Sequence, residues 1–142
     1  MLVRCVYASR ARKPVDAAVF EEILDQSRRN NPARGITGLL CFTRDLFVQV
    51  LEGGRDEVCE LYNTIVRDER HQDVRILVFE EIPERQFAGW TMGQVNVDGV
   101  NPALLLKYCE RAELDPFSAP GRTTLALLTE LAKSGSIVSR DR

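Results

Sequence analysis

The first hydrophobic run, residues 2–8 (LVRCVYA), is rich in Val and ends at Ser9 and a basic turn, which predicts a β-strand. Val15, Val19, Phe20, Ile23, Leu24 and Ser27 then recur at helical spacing, with Asp16 placed as an N-cap. Pro32 disfavours the α conformation at the residue before it, so this helix is expected to stop near Asn30 and Asn31. Residues 36–42 and 46–51 read as two strands joined through Thr43, Arg44 and Asp45 in a tight hairpin. Gly53 and Gly54 are expected to break the chain. Val58, Leu61, Tyr62 and Ile65 mark one face of a second helix, ending near Asp68 to His71. Residues 74–82 and 91–97 are the fourth and fifth predicted strands, separated by a segment holding Phe87 and Trp90.

The order β-α-β-β-α-β-β contains the split βαβ arrangement of ferredoxin-like folds. Right-handed crossovers put both helices on one face of the sheet. Asn101 and Pro102 predict the N-cap and first position of a third helix reaching about residue 111. A Pro-rich stretch at 115–121 precedes a fourth helix over roughly 123–133, and residues 134–142 read as a polar, frayed end. Leu104, Leu105, Leu125, Leu127, Leu128 and Leu131 would cover the sheet's other face. The expected fold class is α+β: a ferredoxin-like five-stranded sheet with two helices on one face and two C-terminal helices on the other. The division is residues 1–98 and a C-terminal helical extension, 99–142.

Charge narrows the functional classes. The 142 residues carry a net charge of -2, with neither a basic field for nucleic acid nor an acidic tail. No nucleic-acid partner is therefore expected. The N-terminus has no long apolar run and no small-residue cleavage site, so no signal peptide or membrane span is expected, which points to the cytoplasm. Four cysteines without a CxxC pair, and a single histidine, argue against a disulfide framework or a metal site. Nucleophile-elbow and phosphate-cradling glycine motifs are absent.

Strand alternation puts Val3, Cys5 and Tyr7 on one face, and Phe47, Gln49 and Leu51 on one face. Gln49 is a neutral amide between two large apolar groups, and burying it unpaired would cost a few kcal/mol. It needs partners from the protein or from a polar ligand. Read singly, Tyr7 is a core aromatic, Gln49 a structural amide, and Asn30 and Asn31 a helix end. Asp68 to His71 read as a solvated helix terminus, and Trp90 and Met92 as core. Together these groups suit a planar heteroaromatic ligand without identifying one.

The stretches YAS at 7–9, SRRNNPARGITGLLC at 27–41, FVQVLEG at 47–53, DERH at 68–71 and RQFAGWTMG at 85–93 resemble the BLUF family of flavin-binding blue-light sensors. The likeness extends over about residues 2–97 and is strongest to short members, one domain plus two C-terminal helices acting through partner proteins. Larger relatives fuse the domain to cyclase or phosphodiesterase modules. The resemblance implies noncovalent FAD, with FMN or riboflavin accepted. Ile23 and Ile65 would sandwich the ring, and Asn31 would bond its polar edge with Asn30 and Ser27 in support. Arg70 and His71 match positions near the pyrimidine side, and Asp68 one near the ribityl-phosphate tail. Some relatives carry Arg at the position of Thr64.

In the mechanism the resemblance implies, Gln49 bridges the Tyr7 phenol and the flavin. Tyr7 gives up an electron and then a proton to the excited ring, and the radical pair reverses. Gln49 is left rotated or tautomerised, and a new hydrogen bond to C4=O shifts absorption to the red. Trp90 and Met92, two residues apart, are expected to share a face, and the fifth strand carries the change toward the terminal helices. A homo-oligomer and a downstream effector protein are implied partners. A flavin-dependent redox enzyme and a cofactor-free ferredoxin-like regulatory module are the alternatives.

Overall fold

The structure, a computed structural model, describes residues 1–133. The predicted frayed end at 134–142 lies outside the described residues. The elements are β1 (Leu2–Ala11), α1 (Ala17–Arg34), β2 (Thr37–Phe42), β3 (Leu46–Gly54), α2 (Arg55–Arg67), β4 (His71–Ile82) and β5 (Gly93–Asn96). A single 3₁₀ turn, Val97–Gly99, leads to α3 (Pro102–Tyr108) and α4 (Gly121–Lys133). The sheet order is β4-β1-β3-β2-β5, antiparallel apart from the parallel β2–β5 pair. This is the ferredoxin-like arrangement with one strand added beside β2.

Alternation along the central strands builds two cores. Val3, Cys5, Tyr7, Phe47, Leu51 and Leu40 face α1 and α2, where Phe20, Leu24 and Val58 close over them. Val6, Ala8, Val48, Val50, Leu39 and Cys41 face the other way, under Leu105, Leu125, Leu127, Leu128 and Leu131 of α3 and α4. Leu104 is partly buried in that second core. The two faces are apolar for the same reason: both are covered by helices.

Local chemistry sets the element ends. Asp16 accepts from the Val19 amide at 2.8 Å and caps α1. Asn101 accepts from the Ala103 amide at 2.9 Å, with Pro102 as the first helical residue of α3. The hairpin turn is held by Thr43, whose Oγ1 accepts from the Asp45 and Leu46 amides at 3.2 and 3.1 Å.

Three expectations are corrected. Helix α1 runs through Pro32 to Arg34 rather than ending at Asn31. The stop comes at Gly35, left-handed at φ 67°, with Gly35 N–H on Pro32 O and Ile36 N–H on Asn31 O. That pair of bonds is a Schellman closure, which holds the last turn although the proline lacks its own N–H. Gly53 and Gly54 do not break the chain: β3 continues through them, opposite Val3 and Leu2. The fifth strand is shorter than expected, and Trp90, Thr91 and Met92 lie in the irregular segment before it.

Candidate functional site

Gln49 lies on the middle strand of the sheet, opposite Tyr7 on one side and Leu40 on the other. The Tyr7 hydroxyl donates to Gln49 Oε1 at 2.5 Å, and Gln49 Nε2 donates to Met92 Sδ at 3.1 Å. Both are buried, Tyr7 to 1% and Gln49 to 4% exposure. A primary amide carries two donors and two acceptor lone pairs, and these contacts use one of each. Burial pushes the Tyr7 phenol pKa up, reinforced by Cys5, Asp68 and Tyr62, so Tyr7 keeps its proton.

Above this pair, α1 and α2 leave a cleft. Ile23, Ser27, Asn30 and Asn31 reach it from α1, Ile65 from α2, and Asp68, Arg70 and His71 from the turn into β4. Tyr7 and Gln49 form its floor together with Leu40. The enclosed space is about 110 Å³, narrow against the roughly 300–1,000 Å³ of common ligand pockets.

The polar rim is tightly wired. Arg70 Nε donates to both Asp68 oxygens at 3.0 and 3.1 Å, and Nη2 donates to Gln26 Oε1 at 2.7 Å. Burial pushes the Asp68 pKa up, but the Arg70 hydrogen bonds and charge outweigh it and the net shift is downward. Ser9 Oγ and His71 Nδ1 share a hydrogen bond of 2.7 Å, and the His71 ring lies 4.7 Å from that of Phe47. Two donors, Asn31 Nδ2 and Arg70 Nη1, are buried without a hydrogen-bond partner. Arg70 Nη1 has only a longer ion pair, 3.7 Å from Glu22. Such donors cost about 1–3 kcal/mol each unless something accepts from them.

His71 should make folding stability depend on pH. Burial, with Arg70 adding to it and Asp68 opposing, holds its pKa at about 4 instead of 6.5. The unfolded chain takes up this proton first, so the neutral ring's contribution is complete above about pH 6.5, declines as the pH falls toward 4, and is absent below. Linkage puts it on the order of 3 kcal/mol. Urea midpoints at pH 7.5 and 5 should therefore differ more in the parent protein than in His71→Gln. Equal pH slopes would contradict the assignment.

Trp90 does not join the cleft. It packs with Phe87 in the core under α3 and α4, while Met92 is buried in the opposite core against Gln49. The expected shared face is thus corrected, because strand alternation does not apply to an irregular segment. Gln26, Arg34, Leu61 and Thr64 also line the cleft. Periodicity holds the signal for them: Gln26 follows Ile23 by three, Arg34 follows Asn31 by three, Leu61 precedes Ile65 by four, and Thr64 follows Leu61 by three. Leu40 is visible only through its pairing with Gln49.

The described residues contain no cluster of His, Cys, Asp and Glu suited to a metal, and no helix among them is long and apolar enough to cross a membrane. Residues 2–93 match the family model described as BLUF, sensors of blue light using FAD. The β subunit of photoactivated adenylate cyclase from Euglena longa is 37% identical over 92 residues, covering 64% of this chain but 11% of the cyclase subunit. The chain thus spans only a small part of that curated relative. Among solved structures, the dark state of BlrB, a BLUF protein, superposes with TM-score 0.80 at 32% identity, covering 94% of this chain and 96% of BlrB. The photo-activated state of BlsA superposes with TM-score 0.82 at 27% identity, covering all of this chain and 99% of BlsA. With the family match spanning both cleft helices, Tyr7, Gln49 and Met92, the chain belongs to the BLUF family of flavin-binding blue-light sensors.

Proposed function

We propose that this chain holds a flavin, FAD by preference, between α1 and α2 and uses it to sense blue light, passing the signal to a partner protein. The observation that carries this reading is that two residues lining the cleft that Tyr7 and Gln49 floor, Asn31 and Arg70, each keep a buried donor, Nδ2 and Nη1, without a hydrogen bond. The polar edge of a flavin is a row of acceptors broken by one N–H, and it answers both donors. The Asn31 carboxamide offers the matching acceptor as well. Ile23 and Ile65 bring an apolar side chain from each helix to the ring's two faces. Ser27, Asn30 and His71 complete the polar wall, and Asp68 stands where the ribityl-phosphate tail would leave. Arg34 is the cleft cation available for a phosphate where Thr64 offers none.

When bound, the flavin supplies a blue-light absorber and a transient electron acceptor. The protein's own groups do the rest. Tyr7 releases an electron and then its proton, because the buried phenol cannot hold the charge that loss of the electron alone would leave, and it takes both back. The proton sits on a 2.5 Å bond to Gln49, so Gln49 registers its movement directly. Methionine sulfur is a weak acceptor, so the Met92 contact holds the amide's orientation lightly. Rotation or tautomerisation of Gln49 then exchanges donor for acceptor with no net chemistry, which makes the site a switch. The two cleft helices leave no open face over the ring for a nicotinamide, which favours this reading over a redox enzyme.

Residues 1–98 act as the sensor and 99–142 as the interaction surface, for an effector and for a homo-oligomer in the cytoplasm. The test is reconstitution. Protein supplied with FAD should turn yellow, and Asn31→Ala should weaken flavin affinity roughly tenfold. Tight binding of FMN with none of FAD would overturn the preference. Protein that stays colourless with either would overturn the whole reading.

A further inference from the structure

Glu52 is fully buried on the face of β3 opposite Gln49, three residues along the same strand. Its carboxylate has a dense set of donors. Oε1 accepts from the Phe87 amide at 2.7 Å and the Gln86 amide at 3.0 Å, and Oε2 accepts from Arg4 Nε at 2.9 Å. Gln86 and Phe87 lie within the irregular segment, residues 83–92, that ends in Met92, the residue bonded to Gln49. The carboxylate therefore ties that segment to the strand carrying Gln49.

The same carboxylate begins two paths to α4. In one, Arg4 bonds Glu52 and Glu80, and Glu80 pairs with Arg122 of α4 at 3.2 Å. In the other, Gln86 Nε2 donates to Thr129 Oγ1 of α4 at 3.3 Å. The apolar core on this face needs no charge, and the buried Arg4–Glu52 pair at the root of these paths is an expensive way to pack helices on a sheet. Its members instead connect the segment beside Gln49 with one helix.

We infer that Glu52 is a positioning residue: it sets the register of residues 86–92 against β3, keeping Met92 at Gln49, and it couples any shift of that segment to α4. This rests on the proposed light switch at Gln49. When Gln49 turns and the sulfur contact is lost, the Gln86 and Phe87 amides stay fastened to β3 through the Glu52 carboxylate. The segment pivots there, and Gln86 and Arg4 carry the displacement to Thr129 and Arg122.

The experiment uses FAD-loaded full-length protein, read by absorption and by amide hydrogen exchange in light and darkness. In the parent protein α4 should exchange differently in the two states. Glu52→Gln keeps the shape but removes the charge that anchors the segment. It should retain flavin and the dark spectrum, recover from illumination several-fold faster, and lose the light-dependent difference in α4. Recovery and α4 exchange both equal to the parent's would overturn the inference. Should Glu52→Gln fail to fold, Gln86→Ala removes only the exposed link to Thr129. That variant should keep the photocycle and shrink the α4 difference, and an undiminished difference would overturn the inference. A parent protein lacking any red shift would instead reject the switch itself, which separates the two failures.

Discussion

Tyr7→Phe should bind flavin within a few-fold of the parent affinity and show no light-induced red shift at all. The ring of Tyr7 is packed edge-on against Tyr62 and His71 at 6.0 and 6.5 Å, and Phe preserves that packing. Only the hydroxyl is lost, and with it the donor to Gln49 Oε1. The stranded acceptor costs about 1–3 kcal/mol of stability, which a domain of this size tolerates. The functional loss is complete, because no other described phenol bonds the amide. Light-minus-dark absorption of the FAD-loaded variant checks this. A reversible shift of parental size would mean that electron and proton come from elsewhere.

Glu52→Ala should lower stability by about 3–5 kcal/mol, the cost of breaking one side of a buried ion pair. Arg4 retains Glu80, but its side chain is only 10% exposed and its charge loses the nearer carboxylate at 2.8 Å. The Gln86 and Phe87 amides lose their acceptor as well, inside the fold. Glu80→Ala is the contrast. Glu80 is part-exposed and the two amides bond Glu52 instead, so that variant should lose far less. Urea denaturation of both variants measures the difference. Equal losses would show that Glu52 is an ordinary surface-type ion pair partner.

Much of this was legible before any coordinates. The period-2 run LVRCVYA places Tyr7, and FVQVL places Gln49, each on the side of its strand where the structure has it. The caps at Asp16 and Asn101 are local chemistry and needed no tertiary information. Ile23 and Ile65 emerge from helical periodicity, while their pairing across a cleft came through the family resemblance.

What was not legible depends on contacts distant in sequence. Pro32 signals a helix end, but a Schellman closure at Gly35 extends the helix by a turn. Gly53 and Gly54 signal a break, yet β1 pairs with both. Glu52 falls just past the predicted strand 46–51, and only the approach of Arg4 and residues 86 and 87 explains its burial. Trp90 and Met92 looked like strand neighbours, and the missing fact was that β5 starts at Gly93.

The account depends on one amide exchanging its hydrogen-bond partners in light. Infrared light-minus-dark difference spectroscopy of FAD-loaded protein, with glutamine labelled at the side-chain nitrogen, reads that exchange most directly. The account predicts a downshifted flavin carbonyl band on illumination, label-sensitive amide bands beside it, and neither in Gln49→Leu. Flavin carbonyl bands unmoved by light, or moved equally in Gln49→Leu, would contradict it.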